Sequence, residues 1–261
     1  MLTALYAPPP AEPVAIQTPD GVIDADVFVP ALSPAAAPLP GILFFMDALA
    51  IRPALRDMAA RLASYGYAVI LPNLYYRLGP TGSFPPFDPL KVRDTPGERE
   101  RMVGMMRTLT SPKLMEDANY CLGFLGEFPG VNADLCGCVG YCMGGGMALT
   151  AAGTFTKRVK AAASFHGGSL ATDKPDSPHL LAPKIKAKLY IGVAELDAMF
   201  SAEQGQKLQE ALRAAHVDFQ YEVYPGVKHG FAVTGHSAYD AAMSERHWDR
   251  LTALFKATLQ A

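Results

Sequence analysis

The sequence predicts an α/β fold, with a mostly parallel central sheet, helices on both faces and an N-terminal hairpin. Three observations predict it. Short, nearly all-apolar runs recur along the chain without the alternation of a half-exposed strand. Amphipathic helical patterns lie between them. Strand and helix alternate five times after the hairpin, and neither an internal repeat nor a dividing linker interrupts the 261 residues. One domain over 1–261 is therefore expected.

The elements follow in order. Residues 1–13 form an arm that is proline-rich from Ala7 to Pro13. Segments 14–18 and 22–29, joined by Pro19-Asp20-Gly21, read as the hairpin, because Asp-Gly between apolar stretches is a turn signal. Residues 33–40 (SPAAAPLP) read as a surface connection. The buried strands are then 41–46 (GILFFM), 67–71 (YAVIL), 136–140 (CGCVG), 159–165 (VKAAASF) and 189–193 (LYIGV), and 220–224 reads as a further strand. Between them, 53–64 carries Leu55, Met58, Ala59 and Leu62 on one helical stripe. Segments 113–128, 144–152, 203–215 and 238–259 read the same way.

Segment 79–111 breaks the rhythm with a proline-rich loop and a short charged helix at 96–109. Met102, Met105, Met106 and Leu109 sit there at helical spacing. The plain reading is amphipathic packing. The sharper one is an adaptable cap over a pocket, since methionine fits varied shapes. The run Glu98-Arg99-Glu100-Arg101 reads as its solvated face.

Half the residues are apolar, 18% are charged and the net charge is −2, so the main state is folded. No basic block supplies an electrostatic footprint for nucleic acid. The first residues lack the basic and long apolar regions of a secretory signal. No apolar run reaches the roughly 20 residues of a membrane span. The expectation is a cytoplasmic protein with reduced thiols, without membrane association. Cys121, Cys136, Cys138 and Cys142 never form a C-x-x-C, and no histidine pair has close metal-ligand spacing. Neither a metal nor a cofactor is expected.

The informative stretch is Gly140-Tyr141-Cys142-Met143-Gly144-Gly145. It joins an apolar strand to a helix, which is the context of a nucleophile elbow with cysteine in place of serine. The glycines allow a sharp turn and close backbone approach, while the central residue is held strained and exposed at the carboxyl end of the sheet. A helix N-terminus and a nearby imidazole would favour its thiolate. A lone cysteine in an apolar run is ordinarily an inert packing residue, and Cys121, Cys136 and Cys138 keep that reading.

An elbow calls for an acid after a later strand, then a histidine near the C-terminus. Glu195 and Asp197 follow the strand at 189–193, and Asp197 is preferred for its deeper loop position. His229 lies on the loop Pro225-Gly226-Val227-Lys228-His229-Gly230-Phe231, after the strand at 220–224. Asp197 would hold the ring tautomer, and His229 would take or share the thiol proton. His166 follows the strand at 159–165 and can edge the pocket, although helix capping or loop packing ranks higher. His179, His216, His236 and His247 read as surface or helix positions.

With Gly-x-Cys-x-Gly-Gly, the downstream Asp and His-Gly-Phe, the sequence resembles the dienelactone hydrolase family over most of its length. That resemblance implies an α/β-hydrolase fold and a Cys142-Asp197-His229 triad. It implies hydrolysis of a carboxylic ester or lactone through a cysteine acyl-enzyme. It makes Asp47 the residue contacting the thiol, and the backbone N–H groups of Ala48 and Met143 the oxyanion hole. Leu74-Tyr75-Tyr76-Arg77 matches the family's Leu-Tyr-x-Arg, so Tyr76 and Arg77 are expected to bind substrate, Arg77 through a carboxylate. A second carboxylate-binding Arg of the family is replaced by Val233. The expected partner is thus a small-molecule ester or lactone. The alternative expectation is a non-catalytic small-molecule binder of the same fold.

Overall fold

A computed structural model describes residues 3–31, 37–92 and 94–260, the side chain of residue 133 excepted. Part of the predicted connection at 33–40 lies outside these residues. Eight strands form one sheet in the order β1-β2-β4-β3-β5-β6-β7-β8. The hairpin is β1 (Glu12–Thr18) and β2 (Gly21–Phe28), which pair antiparallel, and β2 pairs antiparallel with β4 (Ala68–Pro72). All other pairs are parallel, through β3 (Leu39–Phe45), β5 (Val131–Tyr141), β6 (Val159–Phe165), β7 (Lys188–Ala194) and β8 (Phe219–Tyr224).

Every residue of β3 and β4 is buried, as continuous apolar runs require when helices cover both faces. The helix α1 (Pro53–Ala63) starts on a proline, whose missing N–H costs nothing at the first turn, and buries Leu55, Met58, Ala59 and Leu62. The remaining α-helices among the described residues are α2 (Glu98–Met106), α3 (Ser111–Leu125), α4 (Met143–Thr154), α5 (Ala202–Ala214) and α6 (Ala241–Leu259), with a 3-10 helix at Pro178–Lys184. Ser201 and Asp240 cap α5 and α6 by accepting from the N–H groups of Gln204 (3.2 Å) and Met243 (2.9 Å).

Several boundaries differ from the expectation: β3 begins at Leu39, buried inside the surface connection expected at 33–40, and two further shifts have a plain cause. The arm ends earlier, because Glu12 and Pro13 already pair with Val27 and Asp26 on the edge of the sheet. The strand at 136–140 extends back to Val131, because Leu39 and Pro40 pair with Val131 and Asn132 before a register shift. Polar residues at a sheet end carry no apolar signal, so backbone pairing alone marks them as strand.

Strand order reverses at β3, with β4 on one side and β5 on the other. In open α/β sheets such a switch point opens a crevice at the carboxyl ends of the strands. The loops after β3, β5, β6, β7 and β8 all emerge at that end. They carry Asp47, Cys142, His166, Asp197 and His229, respectively.

Candidate active site

Cys142 links β5 to α4 with φ 54° and ψ −117°, a conformation that non-glycine residues rarely adopt. The neighbouring glycines make that turn possible. A Cβ on Gly140 would sit 1.9 Å from the Gly144 carbonyl oxygen, and one on Gly144 would sit 2.4 Å from that of Phe45. Larger residues at either position would push the elbow off the sheet. Cys142 is half-buried, whereas Cys121, Cys136 and Cys138 are fully enclosed, and burial raises the pKa of all three, Cys136 to about 11.

His229 and Asp197 meet as the order of the motifs predicts. Nδ1 of His229 lies 2.8 Å from Oδ2 of Asp197, whose side chain is shut off from solvent. The other carboxylate oxygen accepts from Met199 N–H at 2.8 Å. Glu195 is exposed and accepts from Gly226 N–H instead. His229 Nε2 is buried without a well-formed hydrogen bond, and Cys142 is the group that acts on it. Burial opposes protonation of this ring. The adjacent Cys142 sulfur and then the Asp197 carboxylate bonded to Nδ1 outweigh that, raising the pKa to about 10.

The backbone N–H groups of Ala48 and Met143 make no hydrogen bond among the described residues. Met143 is the first residue of α4, where the helix itself supplies no acceptor. Both residues line the cavities that reach Cys142.

A cleft of about 250 Å³ runs from Cys142 past Met106, Leu109, Met147 and Met199 to Lys174 and Asp176. A smaller chamber of about 60 Å³ lies against Cys142 and His229, walled by Val92, Met102, Met106, Met199 and Val233. The methionine stripe of α2 therefore splits. Met102 and Met106 roof the chamber, while Met105 lines a separate cavity of about 280 Å³ with Tyr75 and Phe87. Arg101 of the supposed solvated face is partly covered, paired with Glu98 and stacked 3.8 Å over the Phe87 ring.

Three expected roles need correction. Asp47 does not hydrogen-bond the thiol. Its oxygens take both terminal nitrogens of Arg52 at 2.7 and 2.6 Å, and one also accepts from Leu49 N–H. A guanidinium fork five residues away satisfies a short carboxylate completely. Arg77 turns away from both the cleft and the chamber. Its guanidinium binds the buried Asp117 of α3 through two nitrogens, and Asp20 through Nε at 2.7 Å. Tyr76 goes with it, donating to Asp117 at 2.8 Å and lying beneath the Arg77 guanidinium. A buried carboxylate demands charge pairing, and Asp117 recruits both residues.

Sequence reasoning passed over Tyr75, the neighbour that packs behind Ala48 and Met143. Its hydroxyl donates to the Ala48 carbonyl at 3.2 Å and lies 3.7 Å from Met143 Sδ. Burial, then the charges of Asp47 and Cys142, push its pKa up, so the phenol stays a donor. The available signal was the tandem Tyr75-Tyr76, in which only one ring can face each way. His166 also belongs to the chamber, fully buried, with its ring 5.1 Å from that of His229. His236 lies at the chamber rim, and His216 is exposed. His179 and His247 are buried rather than on the surface. The first bonds Ser177 at 2.9 Å, and the second bonds the Tyr141 hydroxyl at 2.9 Å.

Similarity to known proteins gives the family and agrees with the fold. The sequence model of the Dienelactone hydrolase family matches residues 27–259. A carboxymethylenebutenolidase of Pseudomonas putida is 26% identical over 227 residues, covering 85% of this chain and 89% of its own. Two solved structures share the fold. A dienelactone hydrolase-like promiscuous phosphotriesterase from metagenomic libraries superposes with a TM-score of 0.75 at 22% identity, over 95% of this chain and 98% of its own. A dienelactone hydrolase from Anabaena variabilis gives 0.67 at 18%, over 97% and 99%.

Proposed function

The chain belongs to the dienelactone hydrolase family and is a lactone or ester hydrolase of that type; on that premise we propose that it works through a covalent acyl-enzyme on Cys142. The observation that carries the proposal is the strained thiol at the elbow, coupled to a histidine that Asp197 holds at 2.8 Å.

In this mechanism the Cys142 sulfur attacks the acyl carbonyl carbon while the proton shared by the pair resides on His229. The oxygen that gains charge is received by the unpartnered N–H groups of Ala48 and Met143. Tyr75 supports that hole from behind, through the Ala48 carbonyl. Collapse of the tetrahedral intermediate expels the alkoxide, and the His229 imidazolium gives it a proton. His229 then takes a proton from water, which attacks the thioester and releases the acid and the thiol. Asp197 keeps Nδ1 protonated and the ring aimed throughout.

The substrate is a small ester or lactone whose acyl part enters the apolar chamber and whose leaving group extends along the cleft. A carboxylate on it is not required. Arg77 is engaged elsewhere, Val233 lines the chamber, and Arg52 is neutralised by Asp47. A reducing, cytoplasmic location belongs to the same proposal, since a nucleophilic thiol must remain unoxidised. Among the described residues no helix is long and apolar enough to cross a membrane.

The test is trapping with an activated ester. One acyl group per chain should appear on Cys142 by mass spectrometry, and turnover should vanish in Cys142→Ala and His229→Ala. Normal turnover by Cys142→Ala would overturn the mechanism.

A further inference from the structure

His166 follows β6 with φ 38°, a left-handed conformation uncommon among non-glycine residues. Its backbone N–H is tied to the Gly192 carbonyl at 2.8 Å. The ring is wedged between His229 at 5.1 Å, Phe231 at 5.5 Å and Tyr141 at 5.9 Å. Among the described residues neither ring nitrogen has a hydrogen-bond partner, although His166 is only 1% exposed. Leaving buried polar atoms unpaired costs on the order of 1–3 kcal/mol, so such a group calls for a reason. His166 lines the same chamber as Cys142 and His229. Burial, then the neighbouring histidines, hold it uncharged, which leaves one ring N–H donor and one acceptor.

We propose that His166 is a substrate-contacting specificity residue that hydrogen-bonds a hydroxyl on the acyl group, so that the site selects 2-hydroxyacyl esters over their alkyl isosteres. The size of the chamber sets the position. At about 60 Å³ it holds only a few heavy atoms beyond the carbonyl carbon, since a cavity that takes benzene measures about 150 Å³. A polar substituent within reach of His166 is therefore on the carbon next to the carbonyl. The hydroxyl matches the imidazole, because each can donate and accept. Val92, Met102, Met106, Met199 and Val233 make the apolar part of the wall and favour an otherwise neutral, apolar acyl chain.

This inference rests on the hydrolytic reading of the site for its kinetic test and on a binding measurement for independence from it. Methyl lactate and methyl isobutyrate differ by hydroxyl against methyl, and their hydrolysis is followed by acid release. Wild type should prefer the lactate in kcat/KM by about tenfold or more beyond the ratio of the two esters' uncatalysed alkaline hydrolysis, because a site built to bond a hydroxyl rejects the analogue lacking it. His166→Phe keeps an aromatic ring against His229 and should bring the preference down to that intrinsic ratio, which the electron-withdrawing hydroxyl sets. His166→Gln retains a donor and an acceptor and should restore part of the preference. A residue that only props His229 would change both rates together and leave the ratio intact.

Nitrogen-15 spectra of the histidine rings in the intact protein supply the second measurement. Lactamide, which is not an ester, should shift the His166 signals, and isobutyramide should not. A wild-type preference no larger than the intrinsic ratio, or a ratio unchanged in His166→Phe, overturns the proposal while leaving the hydrolase mechanism standing. A lactamide shift at His166 without acylation of Cys142 has the opposite meaning, sustaining the hydroxyl site and removing the mechanism.

Discussion

The Arg77 guanidinium grips the Asp117 carboxylate with two nitrogens, at 2.7 and 2.9 Å, and the Asp117 side chain is only 3% exposed. This pair fastens the turn after β4 to α3. It also removes from the pocket the cation that the sequence offers as a carboxylate receptor.

Arg77→Ala should therefore act on stability rather than on substrate choice. Removing one partner of a buried ion pair typically costs about 3–5 kcal/mol, because the other charge is stranded. Urea unfolding should show a loss of that order. The kcat/KM ratio between esters with and without a free carboxylate should match wild type. A ratio that falls tenfold at unchanged stability would return Arg77 to substrate binding.

The pH dependence of hydrolysis should carry the mark of His229. Its pKa is raised to about 10, so the ring keeps its proton through neutral pH and loses it only as the solution becomes strongly alkaline. An imidazolium is needed to protonate the leaving group, so kcat/KM should fall on the alkaline side near that value. Asp197 is one of the groups that raise it. In Asp197→Asn the alkaline limb should move to lower pH, while the contribution of Cys142 remains. A limb that does not move would separate Asp197 from the ionisation of His229.

Acid sensitivity of the fold should trace in part to His247. Burial lowers its pKa to about 3, and its ring is held between the Tyr141 hydroxyl and the Ser244 carbonyl. Its folded pKa lies below the unfolded value of about 6.5. The stabilisation from this group is thus complete above pH 6.5 and is lost as pH falls towards 3. Between those limits the unfolded chain binds a proton that the folded one refuses. His247→Gln should flatten the fall of unfolding free energy from pH 6.5 to 4 by about one proton of uptake. An identical slope in the two proteins would contradict this.

The backbone outline was legible because its signals are local. Continuous apolar runs marked the inner strands, and β6 at Val159–Phe165 matches the reading to the residue. The Gly-rich turn at Cys142 announced the elbow, because the glycines that permit it stand beside the cysteine in sequence. Asp197 and His229 were legible through chain order: each follows a strand, and parallel strands deliver their loops to the same end of the sheet.

What the sequence by itself determined is thus the fold, the elbow and the acid and histidine that follow it. Only the tertiary structure decided which neighbours those residues keep. Arg77 is claimed by Asp117, forty positions away, and Tyr75 rather than Tyr76 turns to Ala48. His166 enters the chamber with no hydrogen-bond partner for its ring among the described residues. The physical reason is that strand and turn preferences are written in adjacent residues. The partner of a charged or aromatic side chain is chosen by helix packing across long separations, where burial of one carboxylate can redirect two side chains.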